Sequence, residues 1–102
     1  MENYGRLRAR YYIIKTSGIF TKSSRILQVH DNGLLFTSSN SLKDHELIPF
    51  KENFEIILME RNDRDFQLKT SKGIYLIACS ERTRLLTDIY YYKVIKLKQN
   101  RI

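Results

Sequence analysis

The only helical periodicity in this 102-residue chain comes at its end. Leu85, Leu86, Ile89, Tyr92 and Val94 recur close to every 3.6 residues, the repeat of an amphipathic helix. Ser80 stands where a helix cap belongs, and Glu81 suits the positive end of the helix dipole. This spacing predicts a helix over 81–97, with Lys93, Lys96 and Lys98 toward the end that favours cations. Everything before Ser80 reads as short strands. Many strands closed by one terminal amphipathic helix is an order that few folds satisfy.

Residues 1–7 read as a loose leader. Arg8 to Thr16 is rich in aromatic and β-branched residues and predicts a first strand. Ser17 to Ser23 reads as a loop, and Ser24 to His30 as the second strand. Asp31-Asn32-Gly33 is the strongest turn signal, because Asn and Gly tolerate the positive φ of hairpin turns. Leu34 to Ser38 follows as the third strand, and Ser39 to Lys43 as a loop. Asp44 to Phe50 is a weaker strand whose Pro49 places it at an edge or a strand end. Phe54 to Glu60 is apolar on both faces and predicts a central strand, ended by a turn at 61–64. Asp65 to Thr70 alternates, with Phe66 and Leu68 inward. Ser71-Lys72-Gly73 is a tight turn into the last strand, Ile74 to Cys79.

Seven strands with short antiparallel connections can form two sheets that pack face to face and curl into a barrel. The helix then covers one open end. This is the element order of a pleckstrin-homology-like domain: mainly β, a seven-stranded bent antiparallel barrel capped by one C-terminal helix. An RNA-recognition motif needs two helices interleaved with strands, and an OB-fold has five strands. The length predicts a single domain, 1–102.

Charge is concentrated at the ends. Residues 1–25 hold six basic groups and one acid (+5), residues 26–79 six and eight (−2), and residues 80–102 six and two (+4), which sum to the net +7. The basic ends suit an anionic partner, or are simply solvated. No run of about 18 apolar residues predicts a membrane span. The one cysteine, Cys79, lies in an apolar run and reads as a small buried hydrophobe. His30 and His45 sit at polar strand ends with no partner motif, so a hydrogen-bonded or solvated role is expected. One cysteine and two histidines give no metal spacing, and the four glycines form no phosphate cradle. Glu52, Glu55, Glu60, Asp63 and Asp65 read as a solvated acidic face. No catalytic set, metal or cofactor is expected.

The candidate functional segment is Lys15 to Arg25. A hairpin gathers Lys15, Lys22 and Arg25 at one end of the sheet. Lysine offers a point charge, and arginine a planar fork that matches two phosphate oxygens. Between them lies Gly18-Ile19-Phe20. Either Ile19 and Phe20 form an exposed apolar tip that inserts into a bilayer while the cations bind lipid heads, or they fold inward with the first strand pair. Lys43 and Lys72 extend the patch if the loops after strands one, three and six share one end of the barrel. Each basic group near an anionic bilayer contributes roughly 1 kcal/mol.

Three stretches also resemble a known family: Arg10 to Ser17 (RYYIIKTS) with Arg25-Ile26-Leu27, Asp65 to Leu68 (DFQL), and Ser80 to Asp88 (SERTRLLTD). In order and spacing they resemble the N-terminal pleckstrin-homology-like domain of the large endosomal J-domain (DnaJ) proteins of receptor-mediated endocytosis, over about residues 8–93. The resemblance implies binding of phosphatidylinositol 3-phosphate on endosomes through the first hairpin. Lys15 and Arg25 match family positions directly, and Lys22 more loosely. The family has Trp and Tyr in this loop, where this chain has Gly18, Ile19 and Phe20 in a loop one residue longer. The resemblance also implies that the J-domain and its chaperone partner belong to a longer parent protein.

The expected function is thus a phosphoinositide-binding, membrane-targeting module, cytoplasmic and peripheral on endosomes. The alternative is a protein-interaction module that uses the groove between the fifth strand and the helix, where a peptide can extend a sheet edge. Nucleic-acid binding rests on charge and tyrosine content alone. It is not expected, because Tyr11, Tyr12 and Tyr90 to Tyr92 sit where core or sheet packing would use them.

Overall fold

The computed structural model describes residues 5–17, 21–38 and 46–95. Seven strands come first: β1 (Leu7–Ser17), β2 (Thr21–His30), β3 (Gly33–Thr37), β4 (Glu46–Pro49), β5 (Glu55–Leu58), β6 (Asp65–Thr70) and β7 (Gly73–Ala78). Helix α1 (Arg82–Tyr90) follows and continues into a π-helical turn, Tyr91–Ile95. All strand pairs are antiparallel, and they form one sheet in the order β4-β3-β2-β1-β7-β6-β5. The face-to-face layering predicted from the sequence is made by one continuous sheet that bends.

The core fills the concave face. Tyr11 and Ile13 of β1, Leu27 and Val29 of β2, Leu34 and Phe36 of β3, Phe66 and Leu68 of β6, and Ile77 of β7 are buried there. Alternate residues of a strand point to opposite faces, so burial of Tyr11 and Ile13 leaves Tyr12 on the outside, 83% exposed. Tyr90 and Tyr91 are also exposed, so only Tyr11 and the half-buried Tyr92 take the packing role expected of the tyrosines. Leu85 and Ile89 of α1 seal the core from the helix side, and Leu86 packs on its flank, half-buried. Cys79 is buried, as expected, and burial pushes its thiol pKa up.

Several boundaries differ from the sequence reading. Leu7 begins β1, and Gly5 and Arg6 are tied to the Asp31 turn: Arg6 N donates to Asp31 Oδ2 at 3.0 Å and Asp31 N to Arg6 O at 3.0 Å. Gly5 adopts φ 79°, the left-handed region that glycine favours. β2 starts at Thr21, so Lys22 lies within a strand and not in a loop. β5 is not central. It ends the sheet, and its Leu58 is 53% exposed. Of its apolar residues, Ile56 packs on the core and Ile57 faces outward, while Leu58, on the core parity opposite Phe66, is left exposed at the strand's end. The other end of the sheet is β4, as Pro49 predicted.

Ser80 does not cap the helix. Cys79 N is held by Arg64 O at 2.9 Å, which leaves Ser80 exposed in the turn. Glu81 takes the N-cap position, with no side-chain cap bond, and its carbonyl accepts from Leu85 N at 2.9 Å. Arg82 anchors this end of α1 instead. Its Nη1 donates to the carbonyls of Met59, Asn62 and Asp65 at 3.3, 2.9 and 2.9 Å. Lys93 anchors the other end: Nζ donates to Phe50 O at 2.7 Å and Glu52 O at 3.0 Å, and it lies 4.2 Å from the Phe54 ring centre. Burial lowers its pKa.

Candidate phosphate-binding end of the barrel

The register of β1 with β2 sorts the hairpin cations. Lys15 is opposite Ser23, Ile13 opposite Arg25, and Thr16 opposite Lys22. Residues directly opposite share a face. Lys15, Ser23 and Arg25 therefore belong to the concave face, below the last core residue Ile13, and Lys22 to the convex face. Lys15 and Arg25 form a diagonal pair, whose β-carbons lie roughly 7–8 Å apart in such a sheet. Arg25 is half-buried, and its Nη1 donates to the adjacent Ser24 O at 3.3 Å.

Lys15 stands near the strand end that the sequence predicts, but it is not open to solvent. It is 9% exposed and lies in a cluster built by four strands. Its Nζ donates to Glu46 Oε2 of β4 at 2.7 Å. The same ammonium lies 4.3 Å from the ring centre of Tyr75 on β7 and 5.1 Å from that of Phe36 on β3. Each ring face attracts a cation. Tyr75 Oη donates to the other carboxylate oxygen, Glu46 Oε1, at 2.5 Å.

Burial alone would raise the Glu46 pKa. The hydrogen bonds from Lys15 and Tyr75, and the charges of Lys15 and Lys72, outweigh it and hold the group below its ordinary value. The Tyr75 phenol is pushed up to about 12 by burial and by its bond to the carboxylate. Glu46 is therefore ionised at neutral pH. Lys72 is exposed in the β6–β7 turn, at the end of β7 toward which Lys15 and Thr16 of β1 run, and its charge acts on Glu46. Structure thus brings Lys15, Arg25 and Lys72 to one end of the concave face. Lys22 lies across the sheet from them. Lys43, Ile19, Phe20 and His45 lie outside the described residues.

Glu46 and Tyr75 were missed as site residues. The signal for Glu46 was its parity with Ile48 and Phe50, both buried, which marks an inward carboxylate. His30 is hydrogen-bonded, as expected, to Gln28 Oε1 at 2.8 Å and Gly5 O at 3.4 Å. Glu52, Glu55, Glu60 and Asp63 are exposed, but Asp65 is held by Asn62 and Arg61 at 3.0 Å each. Among the described residues no helix is long and apolar enough to cross a membrane.

No protein-family model and no curated protein sequence matches this chain. Solved structures do. The carboxyl-terminal PH domain of pleckstrin superposes with a TM-score of 0.71 over 87% of this chain and 98% of its own, at 14% identity. This chain has the pleckstrin homology fold. A solution structure of a pleckstrin homology domain matches with a TM-score of 0.68 over 91% of this chain and 88% of its own, at 17% identity. The C-terminal domain of an unknown protein from Leishmania infantum matches at 0.71, over 87% and 84%, also at 17% identity. The seven antiparallel strands and the C-terminal helix of this chain are thus those of the PH fold.

Proposed function

We propose that this PH domain is a membrane-targeting module that binds a phosphoinositide headgroup at the Lys15–Arg25 end of the barrel. The observation that supports this most directly is the shared face of Lys15 and Arg25, with the Lys72 charge beside them. A point charge, a planar fork and a turn lysine can together receive the oxygens of a phosphomonoester. Lys22 on the convex side, and Lys43 in the β3–β4 connection, add attraction to an anionic surface. Ile19 and Phe20, in the sequence between β1 and β2, are the proposed wedge into the headgroup layer. The PH fold suits a binding module rather than an enzyme.

The finer reading is phosphatidylinositol 3-phosphate on endosomes, with the chain as the N-terminal domain of a J-domain protein whose chaperone partner is bound elsewhere. It rests on the residues of the first hairpin and the three sequence stretches given above. Vesicle co-sedimentation tests it. Vesicles holding phosphatidylinositol 3-phosphate should retain the chain, and vesicles of equal total charge without it should not. Equal retention would reduce the site to a general basic patch.

A second reading has one observation in its favour. β5 ends the sheet, the carbonyl of Met59 just after it accepts from Arg82 of α1, and Ile57 and Leu58 are exposed, so an extended peptide has an edge to join. Loss of all vesicle binding would leave this reading ahead.

A further inference from the structure

We infer that the Glu46 carboxylate occupies the anion seat on Lys15, and so sets how much negative charge a ligand must bring to enter the site. The inference rests on the phosphoinositide reading, and it concerns a residue of opposite sign to every charged group that reading uses.

The geometry is specific. A carboxylate oxygen and a phosphate oxygen make the same demand on an ammonium donor. Glu46 Oε2 already meets that demand at 2.7 Å, on an ammonium that lies 4.3 Å from the Tyr75 ring centre and 5.1 Å from that of Phe36. The carboxylate cannot swing aside freely, because Tyr75 Oη grips its second oxygen at 2.5 Å. Glu46 stays ionised at neutral pH. Any phosphate that reaches Lys15 must therefore displace this carboxylate or sit beside it. Two like charges about 4 Å apart near a protein surface repel strongly enough to cost well over tenfold in affinity.

The consequence is selectivity by charge. A ligand that engages only Lys15 gains nothing, because it exchanges one anion for another. A ligand must also reach Arg25 and Lys72 to bind. Glu46 is thus the specificity-determining residue of the site, with Tyr75 holding it in place.

The test is calorimetric titration of the intact chain with soluble inositol 1,3-bisphosphate, beside Glu46→Gln, Tyr75→Phe and the Lys15→Ala/Glu46→Gln double variant. Gln keeps the shape: its one carbonyl oxygen can accept from Lys15, and its amide N–H can donate to Tyr75 Oη in place of the bond the carboxylate accepts. Glu46→Gln should bind about tenfold or more tightly than the parent, as expected for removing a like charge. Tyr75→Phe, which frees the carboxylate but leaves its charge, should gain less. The double variant should lose the gain. A parent that binds and a folded Glu46→Gln that binds no better would overturn the role of Glu46 while the phosphoinositide reading stands. If Glu46→Gln does not fold, a folded Tyr75→Phe with unchanged affinity overturns it equally. No binding by any of them would overturn both.

Discussion

Tyr75 of β7 donates a 2.5 Å hydrogen bond to Glu46 of β4, although β3, β2 and β1 lie between their strands in the sheet. Four strand spacings in a flat sheet would separate them by roughly 19 Å. The bond exists because the sheet bends until the β4 end faces β7. Lys15 on β1 joins the same carboxylate, so three strands are clamped at one point.

Tyr75→Phe should therefore loosen this closure. Bonds to charged groups contribute about 1.5–3 kcal/mol when well buried, and the Glu46 side chain is 26% exposed, so a loss of about 1 kcal/mol is expected. Urea unfolding measures it. A variant as stable as the parent would show that the sheet is held closed by its core alone.

Acid should weaken the fold through two carboxylates. Burial of Glu46 is outweighed by Lys15, Tyr75 and Lys72, and Asp65 is lowered by the Asn62 amide, which outweighs burial together with Arg61. Both bind protons less readily folded than unfolded, so stability falls as pH falls. Their contribution is complete above the ordinary values, 4.5 for Glu46 and 3.8 for Asp65, and is lost as pH drops through the folded values. The urea midpoint of the parent should decline through this window more steeply than that of a Glu46→Gln/Asp65→Asn variant. Equal slopes would contradict the assignment.

The helix face gives a third prediction. Leu85 is fully buried, whereas Leu86 packs on the flank of the core. Leu85→Ala should cost about 2–5 kcal/mol, the range for buried leucines. Leu86→Ala should cost less, because it leaves less of a cavity. Denaturant titration of the pair decides the face, and a larger loss for Leu86→Ala would reverse it.

The sequence was most readable where one signal had no competitor. Asp31-Asn32-Gly33 marked its turn, and the alternation of Phe66 and Leu68 marked its face. β5 misled because Phe54 to Glu60 is apolar on both parities, a pattern shared by a buried strand and by an edge strand with an exposed outer side. Ser80 misled because a capping residue type does not fix the turn before it; the Cys79–Arg64 bond moved the helix start by a residue. β1 has Tyr11 and Ile13 on one parity and Tyr12 and Ile14 on the other, so its own sequence did not say which way Lys15 points. The register with β2 and the Lys15 bond to Glu46 of β4 settle that, and the same register separates Arg25 from Lys22.

That separation tests the central claim most directly. Calorimetric titration with soluble inositol 1,3-bisphosphate, with no bilayer present, should distinguish Arg25→Ala from Lys22→Ala. Both variants lose one positive charge from the same hairpin, so a response to net charge alone treats them alike. Arg25 shares the concave face with Lys15, and Lys22 does not. Arg25→Ala should weaken binding about tenfold or more, the loss of a charge-assisted contact. Lys22→Ala should stay within about twofold, as a screened charge on the far face would. Equal losses, or a greater loss for Lys22→Ala, would contradict a headgroup site on the concave face.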